Sequence, residues 1–228
     1  MIYQNTVTGR FLSRPNRFIA LVEVDGKETV CHVKNTGRCQ ELLRSGSTVI
    51  LQRSLNPARK TAYDLIAVYK GERLINMDSQ VPNKVVEEWL RGGNAFPTLT
   101  KLQPECTFGS SRFDFYLETE ERRIFVEVKG VTLEEDGIVL FPDAPTQRGI
   151  KHLRELTEAV RQGYEAYVFF VVQMEDCRYF TPNRATHPAF ALALEEAEQS
   201  GVRLCAFNCR VRENELSLKD PVPILLHP

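Results

Sequence analysis

The stretch RRIFVEVKGV, Arg122 to Val131, sets a carboxylate, Glu127, and an ammonium, Lys129, two residues apart inside an apolar run that reads as a strand. A second acid, Asp114, stands in the preceding run SRFDFYLE. If the chain turns at Thr119–Arg122 and pairs Leu117 with Ile124 and Phe115 with Val126, Asp114 comes opposite Glu127. Period-two alternation then collects Phe113, Phe115, Leu117, Ile124, Val126 and Val128 on one face and Asp114, Glu127 and Lys129 on the other. Carboxylates opposed across a β-ribbon, with Cβ atoms ~4.5–5.5 Å apart, repel each other unless a cation lies between them. Mg²⁺ or Mn²⁺ suits such a pair, because hard cations take oxygen ligands, one or two carboxylates among them, and leave room for water and phosphate oxygens. Lys129 beside them could orient or help deprotonate a water, or stabilise charge on a phosphoryl group. The chemistry implied is metal-dependent phosphodiester hydrolysis. Three plainer readings stay open from these strands alone: a slipped register, a lysine that only neutralises the two acids, and a solvated polar face.

The elements that must hold these residues follow from the patterns around them. NKVVEEWLRGG predicts a helix with Asn83 as N-cap and Gly92–Gly93 as its stop. Strands are expected at 112–118, 123–130 and 138–141, followed by a helix from Thr146, its N-cap, to about Gln162. The apolar strand AYVFFVVQM, the helix HPAFALALEEAEQSG and a strand near VRLCAFNC complete an α/β domain. On the helix from Thr146, the expected buried stripe is Ile150, Leu153, Thr157 and Val160, with Arg148, Lys151, His152 and Glu155 on the opposite, charged side.

The front of the chain has a different rhythm. FIALVEVDGKETVCHV alternates and turns at Asp25–Gly26, a hairpin, and STVILQRS, TAYDLIAVYK and ERLINMDS add short strands. A short helix is expected over RCQELLRSG. So many short strands predict a small β-barrel of the OB type. The expected organisation is therefore an OB-like domain over 1–80 and an α/β domain over 81–228. Residues 1–80 carry 12 Lys+Arg against 7 Asp+Glu, while the whole chain has a formal net charge of −1. The front domain is thus the basic one, as expected of a module that meets a polyanion. Arg10, Arg14, Arg17, Arg38, Arg59 and Lys60 supply its charge, with Phe11, Phe18 and Tyr63 as rings on which bases could stack. Asn35–Thr36–Gly37 reads either as a loop approaching phosphate or as ordinary turn chemistry.

Other classes are disfavoured. No run approaches the ~20 apolar residues of a membrane helix, and the start lacks the apolar segment of a signal peptide, so a cytoplasmic location is expected. The six cysteines form no C-x-x-C pair and read as reduced thiols. No helix-turn-helix pattern stands out, which argues against sequence-specific reading of the major groove.

The D-x12-E-x-K spacing resembles the PD-(D/E)xK nuclease core. With FLSRPNRF, NTG at 35–37, NKVVEE, SRFDFYL, FVEVKGVTL and FPDAPTQRGIKHLREL, the chain resembles the sugar fermentation stimulation protein A family along nearly its whole length. The resemblance implies an OB-like domain followed by a restriction-endonuclease-like α/β domain, with DNA binding as the activity and a regulatory link to sugar (maltose) metabolism. Catalysis by Asp114, Glu127 and Lys129 is then an inference from fold, the alternative being a non-catalytic DNA-binding regulator with no sequence preference. The family's N-x4-E spacing maps onto Asn83 and Glu88, making Glu88 a third metal ligand beside Asp114 and Glu127, although the helical wheel does not separate Glu88 from Glu87. Through the same motif Arg148 and Lys151 become phosphate contacts and His152 a site residue, with Asp143 in the metal shell or merely shaping its loop. The expected nucleic-acid contacts are therefore Arg17, Arg38, Arg59, Lys60, Arg148, Lys151 and His152. DNA against RNA, single against double strands, and a homo-oligomer against a monomer stay open.

Overall fold

The structure, a computed structural model, describes residues 1–228 except Thr36, Asn94 and Pro97. Thr36, in the predicted Asn35–Thr36–Gly37 loop, therefore lies outside the described residues.

Six strands build the front of the molecule: β1 (Thr6–Asn16), β2 (Ile19–Val24), β3 (Lys27–Val33), β4 (Thr48–Arg53), β5 (Tyr63–Lys70) and β6 (Arg73–Asn76). Their order is β3-β2-β1-β4-β5-β6, and a parallel β3–β5 pairing closes β1 to β5 into a five-stranded OB-like barrel. The β2–β3 hairpin turns at Asp25 (φ 50°) and Gly26 (φ 73°). Two successive positive φ values are what a two-residue turn needs to follow the strands' twist. The helix expected over 38–46 is replaced by turns: Leu42 and Leu43 both donate to the carbonyl of Cys39, itself at φ 47°, and no second helical turn follows.

The chain then enters α1 (Val81–Arg91), β7 (Lys101–Phe108), β8 (Ser111–Glu118), β9 (Arg123–Val131), β10 (Leu133–Glu135) and β11 (Ile138–Phe141). It continues through α2 (Gln147–Arg161), β12 (Glu165–Val172), β13 (Tyr179–Pro182), α3 (Pro188–Gln199), β14 (Arg203–Arg212) and β15 (Glu215–Pro221). The main sheet has the order β15-β14-β12-β9-β8-β7, with β9, β12 and β14 parallel and joined through α2 and α3. One face buries Val85, Val86 and Leu90 of α1 against Phe115, Val126, Val128 and Phe169. The other buries Leu153 and Leu156 of α2 and Leu194 of α3 against Phe125, Val168 and Phe170. The result is an α/β domain with helices on both faces of a mixed sheet.

Four strands of the α/β domain escaped the sequence reading: β10 and β13, which flank β11 in a three-stranded sheet, and the edge strands β7 and β15 of the main sheet. β7 contains Pro104, which an edge strand tolerates, and β15 is a short polar strand behind the tight turn at 213–214. Asn83 is not the N-cap of α1. Gln80 holds that position, Pro82 lies in the first turn where a missing amide costs nothing, and Asn83 is left inside the helix with its side chain free for other work.

The two parts share apolar contacts and a polar seam. Barrel residues such as Val33, Leu65 and Met77 belong to the same apolar cluster as α2 and α3. Asn76 N–H donates to the Gln173 carbonyl at 2.9 Å, and Gln173 Nε2 returns bonds to Asn76 Oδ1 at 2.9 Å and to the Asp78 carbonyl at 3.1 Å. Glu134 pairs with Lys70 and Arg73, both at 2.7 Å. Among the described residues no helix is long and apolar enough to cross a membrane, and all six cysteines are free thiols.

Candidate functional site

β8 and β9 pair in the predicted register, Glu118 with Arg123 through Phe115 with Val126, and Thr119 closes the turn on Arg122. One residue further the ladder stops. At Asp114 the carboxylate takes over: Oδ2 accepts the Val128 N–H at 2.7 Å and Oδ1 accepts Asn83 Nδ2, also at 2.7 Å. β7 is irregular at the same level, where Glu105 has φ 54° and the β7–β8 ladder skips from Pro104–Phe115 to Cys106–Phe113. This break corrects the simple two-face pattern. Phe115 and Leu117 pack on the α1 side, whereas Phe113 joins Phe125 and His152 on the α2 side.

Beyond the break, Glu127 is 3% exposed. Its Oε1 receives Lys129 Nζ at 2.5 Å and is hydrogen-bonded to His152 Nδ1, while Oε2 is buried and has no hydrogen-bond partner among the described residues. Burial pushes both acids toward the neutral form, but they part company. Asp114 is held above the ordinary aspartate range by burial and then by the Glu127 charge, which its bonds to Val128 and Asn83 do not offset. For Glu127 burial is outweighed by the His152 hydrogen bond and by Lys129, which keep it below the ordinary glutamate range. A charged carboxylate with a bare buried oxygen, beside a second carboxyl that its charge perturbs, is a donor set suited to a hard divalent cation. Asp114 and Glu127 are the residues that could hold one.

The remaining predicted residues divide. His152 lies inside, not on a charged face. The buried stripe of α2 runs through Gly149, Ile150, His152, Leu153, Leu156 and Ala159, rotated from the expected Ile150, Leu153, Thr157 and Val160 because the helix must cover both the sheet and α3. His152 touches Glu127 and is therefore not an exposed nucleic-acid contact. Thr146 caps α2 as expected, accepting Gly149 N–H at 3.0 Å. Arg148 is exposed and donates through Nε to His152 Nε2 at 3.3 Å, and Lys151 is exposed with Nζ on the Ser110 carbonyl at 2.7 Å. Glu88 is not brought to Asp114. Its carboxylate is exposed and pairs with the Met1 ammonium at 2.6 Å, because that ammonium is anchored alongside by the Leu216 carbonyl. Glu87 pairs with Arg91 across one helical turn. The residue of α1 that does reach the site is Asn83, signalled only by its N-x4-E spacing to Glu88. Among the described residues no three His, Cys, Asp or Glu side chains are grouped to hold a metal.

In the barrel, Arg17, Arg38 and Lys60 are exposed, and Arg17 lies over the exposed ring of Phe18 at 4.9 Å. Arg59 differs. It grips the buried Asp64 through both guanidinium arms, at 2.6 and 2.8 Å, so its charge is spent internally. Arg10 pairs with Glu23, and Arg14 donates to the carbonyls of Arg17, Asn35, Gly37 and Arg38, pinning the loop. Phe11 is core rather than platform. Asp143 is exposed and lies against Gly37, where an added Cβ would come within 2.5 Å of its carboxylate.

This arrangement of barrel and α/β sheet agrees with known proteins. Residues 12–77 match the SfsA N-terminal OB domain, and residues 80–215 match the sugar fermentation stimulation protein RE domain. The chain belongs to the sugar fermentation stimulation protein (SfsA) family. A sugar fermentation stimulation protein homolog of Desulfitobacterium hafniense is 62% identical, covering 99% of both chains, and one of Clostridium beijerinckii is 54% identical, covering 99% of this chain and 100% of the relative. The structure of Pyrococcus furiosus SfsA in complex with Ca²⁺ superposes with a TM-score of 0.90 at 26% identity, covering 99% of this chain and 98% of that one. The SfsA fold, an OB-like barrel followed by an α/β domain, is thus the fold of this chain.

Proposed function

We propose that this SfsA family member binds nucleic acid and hydrolyses its phosphodiester bonds with Mg²⁺ or Mn²⁺ held by Asp114 and Glu127. The observation that carries the reading is Glu127 Oε2, a carboxylate oxygen of a charged group buried without a hydrogen-bond partner. Leaving such an atom unmet is costly, and a cation is the natural partner for it. A Ca²⁺ complex of the Pyrococcus furiosus relative supports a hard-cation site in this family. When bound, Mg²⁺ or Mn²⁺ would polarise a phosphoryl oxygen and make a bound water more acidic.

The chain's own residues do the positioning. Asn83 and the Val128 amide fix both oxygens of Asp114, so it cannot rotate away from the gap between β8 and β9. Lys129 spends one proton on Glu127 and has others to offer a phosphate oxygen. Arg148 and Lys151, exposed on α2 nearby, and Arg17, Arg38 and Lys60 on the barrel supply charge for the strand.

The test uses labelled single- and double-stranded DNA and RNA, each with Mg²⁺, Mn²⁺ or chelator. Cleavage with metal that disappears with chelator, and in Asp114→Asn and Lys129→Ala, is the expected result. Cleavage surviving both substitutions rejects this site. A second reading, a non-catalytic nucleic-acid-binding regulator, is favoured by the lack of a third acidic or histidine ligand among the described residues. It predicts binding without cleavage under every metal.

A further inference from the structure

A cleft of 330 Å³ opens between the barrel and the α/β domain, beginning one residue past Lys129. Its floor is Gly130 and Thr132 at the carboxyl end of β9 and Gln173 just after β12, two neighbouring parallel strands that end together at Val131 and Val172. The crevice outside the carboxyl ends of parallel strands is where α/β sheets hold ligands. Asn35 and Gly37 of the barrel, Phe141 at the end of β11 and Asp143 in the loop after it also line the cleft, with Asp143 lying against Gly37.

The lining says what would fit. It contains no lysine, arginine or histidine among the described residues, and its one charged side chain is the carboxylate of Asp143, so phosphate is not what it recognises. Leu133, Leu140 and Phe141 give an apolar side. The amides opposite are fixed in advance: Gln173 spends its Nε2 on Asn76 and Asp78, and its Oε1 lies beside Gly130. Asn35 is likewise tied down, by Met77 and by Gly37. An apolar wall with a few oriented acceptors suits a neutral, partly aromatic, hydroxyl- or amine-bearing group. The volume sits at the low end of the ~300–1,000 Å³ typical of small-molecule pockets.

We propose that this cleft receives one unpaired nucleoside of the strand, base and sugar, while the phosphate attached to it lies at Lys129 and Glu127. The inference rests on the phosphodiesterase reading and adds to it the substrate's form: a base still paired with its complement cannot enter, so the preferred strand is single or locally unpaired.

The test fills the cleft from two sides, with Ala144→Trp and Leu133→Trp, in the full chain, with folding checked by thermal melting. A fluorescein-labelled single-stranded 12-mer and its duplex are titrated by anisotropy, and Mn²⁺ is titrated calorimetrically without nucleic acid. Wild type is expected to bind the single strand at least about tenfold more tightly than the duplex, and each folded variant to lose about tenfold on the single strand alone. Mn²⁺ affinity should stay within about twofold, since neither substitution replaces a group bonded to Asp114 or Glu127. Equal or tighter duplex binding, or single-strand affinity untouched in a folded variant, overturns the cleft. Failure to bind Mn²⁺ while the filled variants still lose the single strand would instead sink the metal reading and leave the cleft standing. If neither DNA form binds wild type, the cleft assignment is overturned.

Discussion

His152 and Glu127 are hydrogen-bonded to each other inside the domain, and the other nitrogen of the ring decides who donates. Nε2 accepts from Arg148 Nε, so the imidazole carries its proton on Nδ1 and gives it to Glu127 Oε1. Lys129 donates to the same oxygen. Both donors therefore converge on Oε1 and leave Oε2 buried and bare. If Asp114 and Glu127 hold a metal as proposed, His152 is a positioning residue acting through Glu127.

Its replacement should therefore weaken the metal rather than the strand. His152→Leu is expected to reduce Mn²⁺ affinity about 10- to 100-fold, the usual consequence of losing a hydrogen bond to a ligand. His152→Asn, whose amide nitrogen stands near the position of Nδ1, should recover much of that loss, and His152→Gln, which reaches toward the position of Nε2, should recover less. Calorimetric titration of Mn²⁺ without substrate measures all three. Equal losses for Asn, Gln and Leu would reduce His152 to packing.

Arg59 is expected to matter for stability and not for the strand. Burial favours the neutral form of Asp64, but Arg59, Lys34 and His32 outweigh it and hold the carboxyl below the ordinary aspartate range. A depressed carboxyl contributes stability that is present above the unfolded pKa and is lost as pH falls through the folded one. Arg59→Ala should cost about 2 kcal/mol at neutral pH, less than the ~3–5 of a fully orphaned buried charge because Lys34 and His32 remain. Its acid unfolding should also begin at higher pH than in wild type. Denaturant titration from neutral to acidic pH checks both, and an unchanged midpoint with weakened DNA binding would return Arg59 to the interface.

The exposed barrel cations make the opposite prediction. Arg17, Arg38 and Lys60 have no carboxylate partner among the described ion pairs. Replacing all three with Ala should leave the melting temperature within about 1–2 °C, as surface substitutions do. The slope of log K against log salt should fall by roughly 0.7–0.9 for each lost phosphate contact. An unchanged slope would mean that nucleic acid does not cross this face.

The register of β8 on β9 was legible because apolar alternation restricts the pairing to registers that keep the apolar faces together and the turn at Thr119–Arg122 selects one of them. The closed barrel was legible from turn chemistry, as at Asp25–Gly26. The break at Asp114 was not, because it depends on a side chain replacing a ladder bond and on an irregularity in β7, a strand whose proline disguised it. His152 was misplaced for a related reason: a charged neighbourhood on the helical wheel says nothing of a buried glutamate arriving from β9. Charge alone could not tell Arg59 from Lys60 either, since the acid that claims Arg59, Asp64 at the start of β5, is buried only once the barrel has formed.

The last prediction concerns the joint between the site strand and α1. A Cβ on Gly130 would stand 2.7 Å from Gln173 Oε1 and 2.8 Å from Pro82 Cγ, so neither neighbour leaves room for it. Gln173 is tied to Asn76 and Asp78 and cannot swing aside cheaply, so the strain falls on Pro82 at the start of α1. Asn83 follows Pro82 directly and holds Asp114. Gly130→Ala should therefore destabilise the fold by about 1–3 kcal/mol, the usual cost of overpacking, and also loosen Asp114, weakening Mn²⁺ binding although no ligand is touched. Asn83→Ala should reproduce the loss of metal affinity with a smaller loss of stability, because it removes one hydrogen bond, worth about 1 kcal/mol, without displacing the helix. Measuring melting and Mn²⁺ affinity on both variants tests the joint. Metal binding unchanged in Asn83→Ala would show that Asp114 is held by the Val128 amide alone.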